Sequence, residues 1–325
     1  MSVDDITGGG LPMATSRRIQ YHQYGGPEVL RLEEFEPARP GPGEVLVRVK
    51  AAAANPMDWK IRGGEMKIMT GRKFPRGLGH DFAGVVAAVG EGVTRLGVGD
   101  EVLGGAGIKA AGAFAELVVA EAKAVVRKPA NLSWEQAAAL PIVGLTAFQA
   151  IVGKGGLRAG QAVFIHGCLG GVGRSAAQLA VARGVCAAGS CRAAAAHEAR
   201  DLGIDPVVEF DFDAAKLAGS FDLVFDTAGT LPVKAARALL RPGGRILDIN
   251  PTPAKFARSV LPGRYHLLIA KVGFADLETV AQAAADGVLR PPIARTVPLG
   301  ASIAALTELE TRRTPKGGKL VITTD

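Results

Sequence analysis

Two rhythms of apolar residues divide the chain. Up to about Arg127, short apolar stretches such as Glu44–Lys50, Phe82–Val89 and Ala115–Ala120 are separated by glycine and proline turns, among them Pro40–Gly43 and Gly97–Gly99. Short apolar or alternating runs bounded by such turns read as strands, so this part is expected to be β-rich with little helix. From Ser133 the rhythm changes. Ser133, with Gln136 three residues on, starts a helix in the manner of a capping box. A short buried strand is expected at Ala162–His166, a helix at Arg174–Arg183, and strands at Val185–Ala188, Phe221–Asp226 and Arg245–Ile249. A helix at Pro232–Leu240 precedes a Pro242–Gly244 turn, and helices near Leu277–Ala285 and Ala301–Glu310 lead to a strand at Lys319–Thr323. Strands alternating with helices at this spacing predict an α/β fold with a parallel, doubly wound sheet.

Composition narrows the classes. A chain of 325 residues, 48% hydrophobic and 21% charged, can build two domains with substantial cores. It has no run of 18 apolar residues, so no membrane partner is expected. Met1–Ser16 combines two early acids with a Gly8–Gly10 cluster and lacks an apolar segment, which fits neither a signal nor a transit peptide. It reads as a flexible extension, with Met13 available as a start. The net charge of +7 is scattered, without an aromatic-interleaved basic patch, so nucleic acid is not an expected partner. Cys168, Cys186 and Cys191 match neither a zinc ribbon nor a disulfide framework, which points to a reducing cytoplasm.

Charge and glycine converge in the middle of the chain. From Gln136 to His197 there is no aspartate or glutamate, yet Lys154, Arg158, Arg174, Arg183 and Arg192 are present. Within that stretch Gly167–Gly173 falls at a strand-to-helix turn, where backbone amides can hold a pyrophosphate. In NAD sites an acid roughly 20 residues beyond the loop binds the ribose 2′-hydroxyl and would repel a 2′-phosphate. Here the second strand runs into Gly189, Ser190, Cys191 and Arg192. Ser190 can donate a hydrogen bond and Arg192 can form a charge-assisted pair, so NADP(H) is expected over NAD(H).

Several further motifs lie in a fixed order: Tyr24–Leu30, Asn55–Lys60, Gly79–Val86, Leu140–Ala147, the glycine loop and Gly317–Val321. With them the sequence resembles the medium-chain dehydrogenase/reductase superfamily, and within it the zinc-independent quinone oxidoreductase branch, over nearly all of the chain after Ser16. The resemblance implies a GroES-like β-rich substrate domain from residues 17–132 and 272–325, a Rossmann domain from residues 133–271, and an active site between them. Thr146, Gly170, Gly171, Val172, Ser190, Arg192, Gly229 and Asn250 match cofactor-contact positions of the family. Three positions depart from its pattern, one of them Lys60, where many quinone oxidoreductases have tyrosine. Cys168 stands where the branch usually has alanine, and Phe210 where relatives often place a tyrosine near the 2′-phosphate.

Zinc alcohol dehydrogenases of the superfamily hold their metal through two cysteines and a histidine with its neighbouring acid. The corresponding positions here are Asn55, His80 with Asp81, and Val143, so both thiolates are missing from a set that needs three protein ligands. Metal-free hydride addition to electron-poor acceptors is therefore expected. The candidate catalytic residues are Asn55, Lys60 and His80. Asn55 could bond the acceptor oxygen or the nicotinamide ribose, Lys60 could stabilise a developing oxyanion, and His80 is either a polar lining group or a packed remnant. Asp58 is read as bracing their loop.

The leading expectation is an NADPH-dependent, zinc-independent reductase of quinones or α,β-unsaturated carbonyls acting on a small-molecule substrate. Two alternatives stand beside it. One is an NADPH-binding protein without turnover, such as a redox sensor, a crystallin-like structural protein or an RNA-binding protein, as some relatives are. The other is a zinc alcohol dehydrogenase. A homodimer is expected if Tyr265–Ala270 pairs across a two-fold axis, as in dimeric relatives.

Overall fold

A computed structural model describes residues 15–108, 111–311 and 317–324. The extension expected over residues 1–16 lies outside the described residues through residue 14, and Ser16 opens a strand, Ser16–Tyr21. Contacts divide the chain into two compact units. The first holds the described residues through Val125, with 296–311 and 320–324; the second holds Val126–Arg295, with 317–319.

The first unit is the β-rich one. Its long strand β1 (Glu44–Ala53) is followed directly by a helix, α1 (Pro56–Arg62), and then by β2 (Asp81–Val89). β1 pairs antiparallel with β2, with Leu117–Glu121 and with the closing strand Lys319–Thr323. Val45, Val47 and Val49 of β1 face the core with Phe82, Val86, Phe114 and Ile322. The alternation read from the sequence thus sets which face is buried. The loop expected at Asn55–Lys60 is helical, because Pro56 sits at the first helical position, where its fixed φ suits a helix start and no N–H is missed.

In the second unit, α2 (Pro141–Phe148) precedes β3 (Ala162–His166), α3 (Gly171–Ala182), β4 (Cys186–Ser190) and β5 (Ile204–Val208). Then come β6 (Phe221–Asp226), β7 (Leu240–Asp248), α4 (Pro253–Val260) and β8 (Tyr265–Leu267). The sheet order is β5-β4-β3-β6-β7-β8, and every neighbouring pair is parallel. This is the doubly wound arrangement expected, with its order reversing between β3 and β6, the place where such sheets take ligands.

Three local differences have physical reasons. β5 was not foreseen because Pro206 interrupts its run; as the sheet's edge strand it tolerates a missing N–H. Pro242–Gly244 lies inside β7, where the register against β6 shifts between Phe221 and Leu223. Residues 272–295 are compact with the second unit, although the sequence reading placed them with the substrate domain. Their helix Phe274–Ala285 packs on α2, where a Cβ at Gly144 would lie 2.4 Å from Val280 Cγ1, so glycine is what permits the approach.

Candidate cofactor and catalytic sites

The glycine loop is tied to its neighbours through backbone atoms. Gly167 turns the chain out of β3 at φ +83°, a conformation that favours glycine. Its N–H and that of Cys168 donate to the Ser190 carbonyl at 3.1 and 3.0 Å. A Cβ on Gly173 would lie 2.2 Å from the Gly167 carbonyl oxygen, so α3 can start against the turn only without a side chain there. A Cβ on Gly171 would lie 3.0 Å from Cγ1 of Val143 on α2, a side-chain contact rather than a backbone one. Gly170 caps α3 without a side-chain bond to the first turn, and Gly170 and Gly171 are exposed. The first amides of a helix lack intrahelical partners and stand at its positive end, so a pyrophosphate fits this start.

Ser190 occupies a different environment from the one expected. It is fully buried at the end of β4, with Oγ 2.7 Å from His166 Nδ1 and accepting from Gly167 N–H at 3.3 Å. His166 Nε2 lies 2.9 Å from Thr230 Oγ1. Burial lowers the His166 pKa to about 4, so the ring is neutral at pH 7. A neutral ring bridges the two hydroxyls with one nitrogen donating and the other accepting, while Ser190 Oγ accepts from Gly167 N–H. The hydroxyl that could have met a 2′-phosphate is thus turned inward, where it props the glycine loop.

The five cations of the acid-free stretch are not equivalent. Arg174 is buried and paired with Glu198, one residue beyond that stretch, at 2.6 Å. Lys154 donates to the Leu267 carbonyl, Arg183 caps the far end of α3, and Arg158 lies in the turn before β3. Arg192 is the one of the five just beyond β4, and it is exposed. Beside it lies a hollow of about 310 Å³ whose lining includes Cys191, Arg200 and Glu209. Arg200 was missed in the sequence because it falls outside the acid-free window.

Cys168 is accommodated because Gly189 faces it: a Cβ on Gly189 would lie 2.7 Å from Cys168 Cβ. Burial, aided by hydrogen-bonding contact with the Cys191 thiol, pushes the Cys168 thiol up to about 12. A thiol held protonated is a poor nucleophile, which weighs against a sensor role for it.

The ends of β6 and β7 add a network the sequence did not reveal. Asp226 accepts N–H bonds from Gly229 at 2.6 Å and Leu231 at 3.1 Å. Asp248 accepts from the Tyr265 hydroxyl at 2.9 Å and from Asn250 N–H at 2.8 Å, and pairs with Lys255 at 2.6 Å. Lys255 also donates to the Gly229 carbonyl at 2.9 Å. Asn250 Nδ2 reaches the Thr227 carbonyl, and a Cβ on Gly229, at φ +77°, would lie 2.7 Å from the Asn250 side chain. Gly229 and Asn250 are thereby held together at the same sheet edge as the glycine loop. Thr146 is buried on α2, its hydroxyl donating to the Ile142 carbonyl at 2.7 Å, and Val172 is the second residue of α3.

In the first unit, Asn55, Asp58, His80 and Asp81 form one buried network. Asp58 returns a carboxylate oxygen to Asn55 N–H at 2.7 Å, while its other oxygen lies 2.7 Å from His80 Nδ1. Asn55 Nδ2 donates to Asp81 at 2.9 Å and to the Ala53 carbonyl at 3.2 Å, which engages both amide hydrogens. His80 Nε2 is buried and has no hydrogen-bond partner. Lys60 is half-buried on α1, and residues two apart on a helix face different ways, so Lys60 and Asp58 diverge.

A catalytic zinc does not fit this donor set. Among the described residues no group of three or more His, Cys, Asp or Glu side chains is placed to hold a metal ion. Asp81 is bonded to the amide of Asn55 where a thiolate ligand would be needed. A surface hollow of about 500 Å³ at Glu44, Arg95 and Glu121 lies at the opposite end of β1 from Asn55 and contains none of these residues.

Two families and several known proteins resemble this chain. The alcohol dehydrogenase GroES-like domain family matches residues 41–130, and the zinc-binding dehydrogenase family matches residues 202–322. A quinone oxidoreductase of Pseudomonas aeruginosa is 32% identical over 321 residues, covering 92% of this chain and 97% of its own. A chloroplast envelope quinone oxidoreductase homolog of Arabidopsis thaliana is 32% identical over 72% of this chain and 75% of its own. The structure of the quinone oxidoreductase from Coxiella burnetii superposes with a TM-score of 0.85 at 29% identity, over 96% of this chain and 100% of that one.

Proposed function

Since the chain belongs to the quinone oxidoreductase branch of the medium-chain dehydrogenase/reductase superfamily, whose members bind a nicotinamide cofactor, we propose an NADPH-dependent reductase of quinones or α,β-unsaturated carbonyls. The observation that carries the cofactor choice is the end of β4. Where an NAD site needs an acid, this chain has Ser190, Cys191 and an exposed Arg192; the adjoining hollow adds one cation, Arg200, and one acid, Glu209, so the choice rests on Arg192.

In this reading the cofactor supplies the hydride when bound. The amides at Gly170, Gly171 and Val172 hold the pyrophosphate, and Arg192 holds the 2′-phosphate as a charge-assisted pair. Ser190 acts indirectly, through His166 and Gly167, by keeping the loop in shape. Gly229, Asn250 and Thr146 line the nicotinamide side. The Lys60 ammonium stabilises negative charge developing on the acceptor oxygen, while Asn55 and His80 stabilise the helix that presents it. No step runs through a metal, because the donor set at His80 does not fit one. Three cysteines without a disulfide suit a reducing, cytoplasmic setting.

Steady-state kinetics with NADPH and NADH across quinones, enals, enones and enoyl thioesters tests the reading. Wild type is expected to prefer NADPH. Arg192→Gln should lose about 10- to 100-fold in kcat/KM for NADPH, as for a lost charged hydrogen bond, and little for NADH. Equal use of the two dinucleotides would refute the NADP assignment. Binding of NADPH without oxidation by any acceptor would refute the reductase assignment.

A further inference from the structure

Arg174 is the fourth residue of α3, and the three residues after it, Ser175, Ala176 and Ala177, are small and buried with it. A guanidinium on such a face loses its water, and only a partner in good geometry offsets the loss. That partner is Glu198, whose carboxylate accepts from Arg174 Nη2 at 2.6 Å. The pair is lopsided, with the Arg174 side chain 9% exposed and that of Glu198 39%. A buried ion pair adds little to stability over apolar side chains of similar volume, so folding alone does not account for an arginine here.

The place of Glu198 in the chain does. It is the first acid after Glu135, and it lies in the first turn of the helix Ala196–Asp201, which follows Arg192 and the single turn Ala193–Ala195. Cβ atoms of a helix lean toward its N-terminus, so the Glu198 side chain sets off in the direction of Arg192. Its charge is felt at that end of β4: burial pushes the Cys191 thiol up, and Glu198 is among the charges that add to the effect. Arg174 holds the same carboxylate from the other side. Burial pushes the Cys168 thiol up and Arg174 pulls against it, so this guanidinium lies near the glycine loop. Arg192, by contrast, is exposed, and among the described residues its side chain has no ion-pair partner. A carboxylate released beside it would compete with a 2′-phosphate for the one cation that the phosphate needs.

We infer that Arg174 is a positioning residue for cofactor choice: by holding Glu198 against α3 it keeps that carboxylate off Arg192 and leaves the Arg192 guanidinium to the 2′-phosphate. This role rests on the NADPH reading proposed above, and divides the work so that one arginine takes the acid and the other the phosphate.

The test is titration of the full-length protein with NADPH and with NADH, followed by cofactor fluorescence, for Arg174→Met, Glu198→Gln, the two combined, and Arg192→Gln. Methionine fills part of the buried volume without the charge. Arg174→Met releases Glu198 and should weaken NADPH about tenfold, the lower end for a lost charged hydrogen bond, with NADH changed about threefold or less. Glu198→Gln removes the competing charge and should leave the preference for NADPH at least as strong as in wild type. Adding it to Arg174→Met should bring that preference back to within about threefold of wild type, a rescue that a purely structural ion pair does not give. An unchanged preference in Arg174→Met, or a loss that the double variant retains, overturns the role of Arg174. Should Arg174→Met not fold, the double variant decides by itself, since a tenfold loss of preference there overturns the role as well. A wild type that binds both dinucleotides equally, or an Arg192→Gln variant that still prefers NADPH as wild type does, refutes the NADPH reading and this role with it.

Discussion

Ser190 Oγ lies 2.7 Å from His166 Nδ1, so the end of β4 and the end of β3 are joined by a buried side-chain bond directly beneath the glycine loop. The same hydroxyl accepts from Gly167 N–H, the first amide of the loop. Ser190→Ala removes one partner from two buried groups, for which a cost of about 1–3 kcal/mol is expected. Its effect on cofactor binding should be the same for NADPH and NADH, in contrast to Arg192→Gln. Dissociation constants for both dinucleotides check this, and a loss confined to NADPH would show that Ser190 faces the 2′-phosphate after all.

Two glycines of the loop should respond oppositely to alanine. At Gly173 the new Cβ would sit 2.2 Å from a backbone carbonyl oxygen, which cannot swing away as a side chain can. Gly173→Ala is expected to cost about 3 kcal/mol or more and to abolish dinucleotide binding. At Gly170 the nearest atom would be 3.4 Å away and φ is −68°, so Gly170→Ala should fold and bind nearly as wild type. Denaturant midpoints and cofactor fluorescence distinguish the pair.

Asp226 and His166 should leave opposite marks on stability as pH changes. Burial, then the neighbouring Asp248, pushes Asp226 up from 3.8 to about 6. Its contribution to stability is therefore fully present below pH 3.8 and lost as pH rises through about 6. His166 is lowered by burial from 6.5 to about 4, so its contribution is present above 6.5 and lost as pH falls through 4. Relative to wild type, Asp226→Asn should gain stability between about pH 4 and 6 and then level off. His166→Asn should gain relative to wild type as pH falls over its own window. Urea midpoints measured across this range would contradict the assignment if either difference stayed flat.

Removing two members of the Asp58 network together should cost less than the sum of removing each alone. Asp58→Leu leaves His80 Nδ1 and Asn55 N–H buried without their acceptor, for which about 3 kcal/mol or more is expected. Adding His80→Leu removes one of the stranded groups, so the double variant should be less destabilised than the sum of the singles. Strict additivity would mean that the Asp58 to His80 contact contributes nothing.

The parts of this protein legible in its sequence are those governed by local chemistry. The turn at Gly167, the cap at Ser133 and the strand Lys319–Thr323 each depend on a few consecutive residues, and all occur where expected. The helix after Asn55 depends on the same local chemistry, since Asn55, Pro56 and Asp58 are a cap, a first helical residue and its carboxylate. What could not be read is pairing across distance. Nothing in the order of residues says that Ser190 turns toward His166 rather than outward, or that Arg174 is engaged by Glu198. Asp226 and Asp248 each end an apolar strand, and only the parallel pairing of β6 with β7 makes them neighbours.

The closing strand Lys319–Thr323 pairs with Ala51–Ala53, the residues that lead into Asn55. A ribosome makes β1 early and its partner last among the described strands, whereas β3 to β8 are complete once Leu267 has emerged. The order of synthesis therefore lets the dinucleotide-binding sheet assemble first, while Ala51–Ala53, the end of β1 that leads into Asn55, keeps an unpaired edge until Val321–Thr323 emerge.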